Sequence, residues 1–153
     1  MEINHFISKN SNSPIAFQTR WEAPSNIALI KYWGKTEPQI PKNPSLSFTL
    51  SSSVTKTEVI FTPKSEASFD FEFSFAGVLK PDFQPILNTF FERIKQYSPW
   101  LDSYSLKIDS SNSFPHSSGI ASSASAMAAL SLCIMDMEKE LFPEFESELF
   151  IKK

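Results

Sequence analysis

Residues 114–126 read Phe-Pro-His-Ser-Ser-Gly-Ile-Ala-Ser-Ser-Ala-Ser-Ala, a serine-rich turn that leads through a glycine into small residues. Before it, apolar and polar residues alternate, which predicts a strand over about residues 103–110. After it, small and apolar residues predict a helix over about residues 119–140. A strand, a tight turn and a helix N-terminus together direct backbone N–H groups at one point, which favours a site for a phosphate or another anion.

The same residues leave a second interpretation open. A serine could simply cap a helix of small residues that packs closely on a sheet. The turn is not the common P-loop, because no Gly-Lys-Ser/Thr follows its glycine. A membrane span is disfavoured by the serine content and by Asp136.

A second segment offers positive charge. Residues 27–33 are apolar and aromatic, follow a predicted turn at residues 23–26 and end at Gly34, which predicts a buried strand. If that strand continues to Gly34, Lys31 and Trp33 share one face and Tyr32 lies on the other, while Lys35 falls in the next turn. Two ammonium groups at a strand end could bind a diphosphate, or could be ordinary solvated lysines.

The rest of the chain predicts a sheet covered by helices. A proline-rich loop is expected over residues 36–44, and strands over residues 45–50 and 54–62. Four phenylalanines then recur at every second position, so they face one side of a strand: Phe69, Phe71, Phe73 and Phe75. Since no basic residues interleave with them, we expect core packing and not a platform for ligands. An amphipathic helix over residues 86–97, stopped by Pro99, would cover the sheet.

Composition limits the classes of function. At 153 residues the chain suits one domain or part of a larger one, and fifteen phenylalanines require a core or an interface. A net charge of −3 gives no general attraction to nucleic acid or to an anionic membrane. The single cysteine, Cys133, and a polar N-terminus without an apolar signal region favour a reducing, cytoplasmic location.

Residues 23–35 and 112–124 together resemble the diphosphomevalonate decarboxylase family of the GHMP kinase superfamily. The string Ile-Lys-Tyr-Trp-Gly-Lys is specific, since the sister kinases of the superfamily lack it, and the likeness extends over about residues 15–140. The resemblance implies an α+β fold of the ribosomal protein S5 domain 2-like type, with an antiparallel or mixed sheet and helices on one face. Residues 1–14 would be a flexible lead-in, and residues 15–153 an incomplete GHMP-type N-terminal domain without its C-terminal domain.

The family's reaction would use ATP and Mg²⁺ to convert mevalonate 5-diphosphate to isopentenyl diphosphate, ADP, phosphate and CO₂. By position, the resemblance assigns Lys31 and Ser123 to catalysis. It assigns substrate binding to five residues: Asn26, Tyr32, Trp33, Gly34 and Lys35. It assigns ATP binding to the turn and the first helical residues: Pro115, His116, Ser117, Ser118, Gly119, Ile120, Ala121, Ser122 and Ser123.

This sequence also departs from the family pattern. The family has a Gly-Ser-Gly-Ser-Ala-Cys-Arg segment beyond the helix and a later catalytic aspartate, and neither is in this chain. An arginine that holds the substrate diphosphate in many members has no counterpart in residues 77–87. We therefore expect a fragment that is catalytically incomplete without a C-terminal portion. Two other functions stay open, a GHMP-type small-molecule kinase and a non-catalytic nucleotide-binding module, as does a homodimer.

Overall fold

The computed structural model describes residues 7, 13–37, 40–115 and 119–143. The strands are β1 Phe17–Ile30, β2 Lys35–Thr36, β3 Ile40–Pro41, β4 Leu46–Pro63, β5 Asp70–Phe75, β6 Val78–Leu79 and β7 Tyr104–Asn112. The helices are α1 Gln84–Ile94 and α2 Ser122–Leu141, with short 3₁₀ helices at Pro81–Phe83 and Pro99–Ser103. This is the α+β class that the resemblance implies.

One five-stranded mixed sheet carries the fold, in the order β1-β4-β7-β5-β6. The β5–β7 pair is parallel, and the other neighbours are antiparallel. Both helices contribute to a single core against the inward residues of the sheet. The prediction of a mixed sheet with helices on one face is therefore confirmed.

The phenylalanine row of β5 packs against α1. Phe91 on that helix places its ring centroid 5.0 Å from Phe71 and 4.6 Å from Phe69, the residue just before β5. Phe73 lies 5.3 Å from Phe83, which ends the 3₁₀ helix that leads into α1. Tilted aromatic pairs at these centroid distances each add about 0.5–1.5 kcal/mol to the free energy of unfolding, beyond the contribution of the buried area. The row thus holds α1 on the sheet, as its spacing predicts.

Helix α2 lies across β1 and β4. Its buried face combines two polar residues, Ser125 and Glu138, with the apolar residues Ala129, Leu130, Cys133, Ile134, Met137 and Leu141. Within the described part of the chain, no helix combines the length and apolarity needed to cross a membrane. The exposed ends of α2 differ in character: its first turn is rich in serine, and its last turn carries Lys139.

Strands β1 and β4 are longer than the sheet and project from it as a two-stranded ribbon. Pro24 pairs with Val54 but Ser25 pairs with Leu50, so residues 51–53 form a bulge where the ribbon begins. The predicted turn at residues 23–26 is wrong, because β1 runs through Pro24. The reason is that β1 is an edge strand, where a residue without an N–H group is tolerated.

The ribbon also corrects two further predictions. Residues 45–50 and 54–62 belong to one strand, β4, and not to two. The expected buried strand at residues 27–33 ends at Ile30, and its apolar side chains are exposed by 44–60% at Ile27, Leu29 and Ile30. The alternation predicted for Lys31, Tyr32 and Trp33 therefore does not apply.

Candidate functional site

The N-terminus of α2 has an unusual backbone. Ala121, which precedes the helix, has φ 37° and ψ 38°, in the left-handed region that residues with a side chain rarely adopt. Gly119, two residues earlier, has φ 78°. The predicted start of the helix near Gly119 is therefore three residues too early. The left-handed conformation of Ala121 interrupts the helix there, and α2 begins at Ser122.

Among the described residues, no side chain caps this helix end. The carbonyl of Ala121 accepts from the backbone N–H of Ala124 at 3.0 Å, which starts the helical hydrogen bonds. The N–H groups of Ser122 and Ser123 lie in the uncapped first turn, where the helix dipole adds partial positive charge. The alternative interpretation is correct in that α2 packs on the sheet, but its cap residue is Ala121 and not a serine. The exposed N–H groups suit an anion.

Two strands, β1 and β4, anchor this helix end through buried hydroxyl groups, and Asn112 of β7 supports the second of them. Ser25 of β1 donates a hydrogen bond to the carbonyl of Ile120. Thr55 of β4 lies 2.7 Å from the hydroxyl of Ser125 on α2 and donates to Oδ1 of Asn112 on β7 at 2.9 Å. The sequence analysis missed these residues, because serines and threonines on strands carry no signal that separates a buried anchor from an exposed position.

An apolar pocket of about 70 Å³ lies beside the same helix end. Its lining includes Phe75, Phe83 and Met127, together with Ser122 and Ser123. The volume is below the ~300–1,000 Å³ usual for small-molecule sites. Met127 in its lining is a flexible side chain, and its movement would enlarge the pocket.

A second pocket, open to solvent, lies along the ribbon and has a volume of about 420 Å³. It is lined by Asn26, Ala28, Lys31, Tyr32, Ser45 and Ser47. The structure thus brings together three of the residues predicted to bind substrate or to act in catalysis, Asn26, Lys31 and Tyr32. The lining is polar enough to hydrogen-bond a charged ligand.

Asn43 braces the segment between β1 and β2. Its Oδ1 accepts from the backbone N–H of Trp33 at 2.7 Å. Its Nδ2 donates to the carbonyls of Lys31 at 3.4 Å and Pro44 at 2.8 Å. The sequence analysis placed Asn43 in a loop and gave it no role, although an Asn-Pro pair favours a turn.

Beyond this brace the chain turns through Gly34 into a small hairpin. The carbonyl of Gly34 accepts from the N–H of Lys42 at 3.0 Å, and β2 pairs with β3. The predicted loop at residues 36–44 therefore contains β3 and the end of β2, and Lys35, which was expected in a turn, is the first residue of β2. The ammonium group of Lys35 lies 5.2 Å from the ring centroid of Tyr32, a cation–π distance, while the Trp33 side chain is 92% exposed.

The two predicted parts of the site lie at the two ends of the ribbon. Ser25 contacts Ile120 in the serine-rich turn, and Lys31 follows Ser25 by six residues. At ~3.3 Å per extended residue, the two Cα atoms lie up to ~20 Å apart. The assignments of Pro115, Gly119 and the lysines to ligand binding stay predictions, and His116, Ser117 and Ser118 lie outside the described residues.

Comparison with known proteins identifies the family. Residues 23–148 match the model of the diphosphomevalonate decarboxylase-like N-terminal domain. Diphosphomevalonate decarboxylase ERG19 of Gibberella zeae is 37% identical over 120 residues, covering 71% of this chain and 31% of that protein.

Solved structures agree with the sequence comparison. One similar structure is the mevalonate diphosphate decarboxylase of Enterococcus faecalis, described as a mevalonate diphosphate mediated ATP binding mechanism. It superposes on this chain with a TM-score of 0.61 at 34% identity, and the match covers 76% of this chain and 36% of the Enterococcus faecalis chain. A structure described as MDDEF in complex with MVAPP, AMPPCP and magnesium gives a TM-score of 0.55 at 33% identity, over 76% and 35% of the two chains. The chain spans about a third of the length of these relatives, and it belongs to the family of diphosphomevalonate decarboxylase-like N-terminal domains.

Proposed function

We propose that this chain binds Mg·ATP and mevalonate 5-diphosphate as the N-terminal part of an ATP-dependent diphosphomevalonate decarboxylase. The complete reaction would convert these substrates to isopentenyl diphosphate, ADP, phosphate and CO₂. The observation that carries the proposal is the start of α2 directly after the serine-rich turn, where none of the described side chains caps the first N–H groups. The family match, which includes both this turn and the lysine segment, supports it.

The phosphates of ATP would lie at the start of α2. The N–H groups and hydroxyls of Ser122 and Ser123 can donate to phosphate oxygens, and Gly119 allows the backbone to approach closely. Such donors are already oriented before the phosphate arrives, so they stabilise developing charge without reorganising. Ser123 would contact the transferring γ-phosphoryl group.

The adenine base would use the apolar pocket beside these serines. Phe75, Phe83 and Met127 offer a face of apolar and aromatic groups next to Ser122 and Ser123. Because the pocket is small, we expect binding to displace the side chain of Met127. The donors for the phosphates and the apolar pocket for the base then lie next to each other, as binding of a nucleotide requires.

Magnesium would come with the nucleotide. The described residues hold no group of three His, Cys, Asp or Glu side chains that could bind a metal ion by themselves. Mg²⁺ is commonly held by substrate phosphates, water and one or two protein oxygens, so the serine hydroxyls at this helix end fit that role. When bound, the ion would spread the charge of the phosphates.

The substrate diphosphate would lie along the ribbon. Lys31 and Asn26 line its cavity, and the ammonium group of Lys35, which lies 5.2 Å from the ring centroid of Tyr32, would pair with a phosphate. Tyr32, Trp33 and Gly34 complete the predicted contact segment. Lys31 would lie nearest the reacting centre.

Binding can be tested by calorimetric titration of this chain. A Ser122→Ala/Ser123→Ala double variant should weaken Mg·ATP binding by roughly tenfold or more, since it removes hydrogen bonds to a charged group. Lys35→Ala should weaken mevalonate 5-diphosphate instead, and Lys107→Ala, which changes a lysine on the outer face of β7, should change neither. Equal binding of Mg·ATP by the wild type and the serine variant would contradict the proposal.

The chain by itself is expected to bind and not to turn over. The arginine segment and the catalytic aspartate of the family pattern do not occur in these 153 residues. A CO₂-release assay with both substrates should therefore give no signal above a protein-free control. Release of CO₂ by the isolated chain would show that other residues supply the missing chemistry.

A further inference from the structure

Beneath the start of α2 lies a buried network of polar side chains that the proposed reaction does not use. Ser25 and Thr55 are fully buried and Ser125 is 1% exposed, so none of the three can touch a bound nucleotide directly. They come from β1, β4 and α2, and Asn112 of β7 joins them. Burying so many polar groups is unfavourable unless each has a partner.

Counting hydroxyl hydrogens shows how closely the network is coupled. Each hydroxyl has one hydrogen to donate. Thr55 donates to Oδ1 of Asn112 at 2.9 Å, and Ser125 donates to the carbonyl of Ser122 at 3.0 Å. The two hydroxyl oxygens lie 2.7 Å apart, so one of these two hydrogens is shared between them. Thr55 thereby fixes the Ser125 side chain and, through it, the first turn of the helix.

The network holds the backbone on both sides of Ala121. On one side, Ser25 donates to the carbonyl of Ile120. On the other side, Ser125 contacts the carbonyl of Ser122. Between them, Ala121 keeps its left-handed conformation, which a residue with a Cβ atom retains only when its surroundings impose it.

We propose that Ser25 and Thr55 are positioning residues for nucleotide binding. They hold Ala121 in its left-handed conformation, so that the N–H groups of Ser122 and Ser123 point at one place. This inference rests on the proposed function for its ligand. The effect on the helix start itself can be measured without a ligand.

The adjacent hydroxyl pair on the same strands provides a matched control. Thr57 and Ser110 lie one step further from the helix end, are both buried, and are joined at 2.8 Å. If buried hydroxyl pairs only stabilise the sheet, Thr55→Val and Thr57→Val should behave alike. If Thr55 positions the helix start, only Thr55→Val should affect it.

The first measurement is amide hydrogen exchange in the nucleotide-free chain at Ala124 and Ser125, whose N–H groups donate to the carbonyl of Ala121. We expect Thr55→Val to speed exchange there by roughly 2- to 13-fold, the loss of one hydrogen bond, while Thr57→Val leaves these amides unchanged. Thr55→Ser keeps the hydroxyl and should restore the wild-type rates. Ser25→Ala is a second, independent variant with the same expected direction.

The second measurement is the Kd for Mg·ATP by calorimetry on the same variants. Thr55→Val should raise the Kd by a similar factor, Thr57→Val should not, and Thr55→Ser should restore it. Equal effects of Thr55→Val and Thr57→Val in both measurements would overturn the positioning role. If the wild type fails to bind Mg·ATP, the proposed function fails, and the exchange rates still decide whether Thr55 sets the helix start.

Discussion

Replacing Asn43 by alanine should free the segment that carries the predicted substrate contacts. The side chain makes three hydrogen bonds, to Trp33, Lys31 and Pro44. The bond to the Trp33 N–H is the shortest at 2.7 Å, whereas the bond to the Lys31 carbonyl, at 3.4 Å, is weak. A net 0.5–1.5 kcal/mol for the Trp33 bond corresponds to roughly 2- to 13-fold faster opening.

Amide hydrogen exchange at Trp33 measures that opening directly. Asn43→Ala should speed exchange at this amide by that factor, with the urea midpoint of the whole chain almost unchanged, because local opening does not require global unfolding. Asn43→Asp is the matched control, since it keeps the acceptor for Trp33 and loses both donated bonds. Slow exchange at Trp33 in the alanine variant would refute the bracing role.

Two further predictions concern the core. Phe91→Ala should lower the free energy of unfolding by about 3–5 kcal/mol in urea titrations, because the ring is buried among other phenylalanines. The control Ile86→Ala, on the exposed side of α1, should lower it much less. Similar losses for both variants would contradict the packing described. Burial raises the pKa of the Cys133 thiol from 9.0 to about 12, so the thiol should resist alkylation at pH 8 until denaturant is added. As the pH rises, the thiol ionises in the unfolded chain before it does so in the folded chain. Its contribution to the free energy of unfolding is therefore fully present below pH 9 and is lost as the pH rises towards 12. Urea midpoints of the wild type and of Cys133→Ala, compared across this pH range, measure that loss.

The parts of the fold that sequence predicts best are those with strict periodicity. The phenylalanines of β5 fall at every second position, and burial of large aromatic groups leaves only one face available to them. The strand before the serine-rich turn and the helix after it were also predicted, with β7 at Tyr104–Asn112 and α2 at Ser122–Leu141. In both cases the local pattern and the tertiary packing require the same structure.

The predictions failed where tertiary context overrides the local pattern. Pro24 favours a turn in isolation, but at the sheet edge it remains in a strand. The apolar run ending at Ile30 suggests a buried strand, yet it forms a ribbon beyond the sheet, where few atoms cover it. The roles of Thr55 and Asn43 depend on partners 70 and 10–12 residues away, and no local pattern carries that information.

The exposed side chain of Trp33 makes the ribbon visible to spectroscopy. The chain has three tryptophans; Trp100 is 4% exposed in the core and Trp21 is 36% exposed on β1, against 92% for Trp33. A water-exposed indole emits at longer wavelength than a buried one and is readily quenched by iodide. The iodide-sensitive part of the emission therefore comes mainly from the segment between Lys31 and Lys35, which gives a label-free signal for anything that covers it.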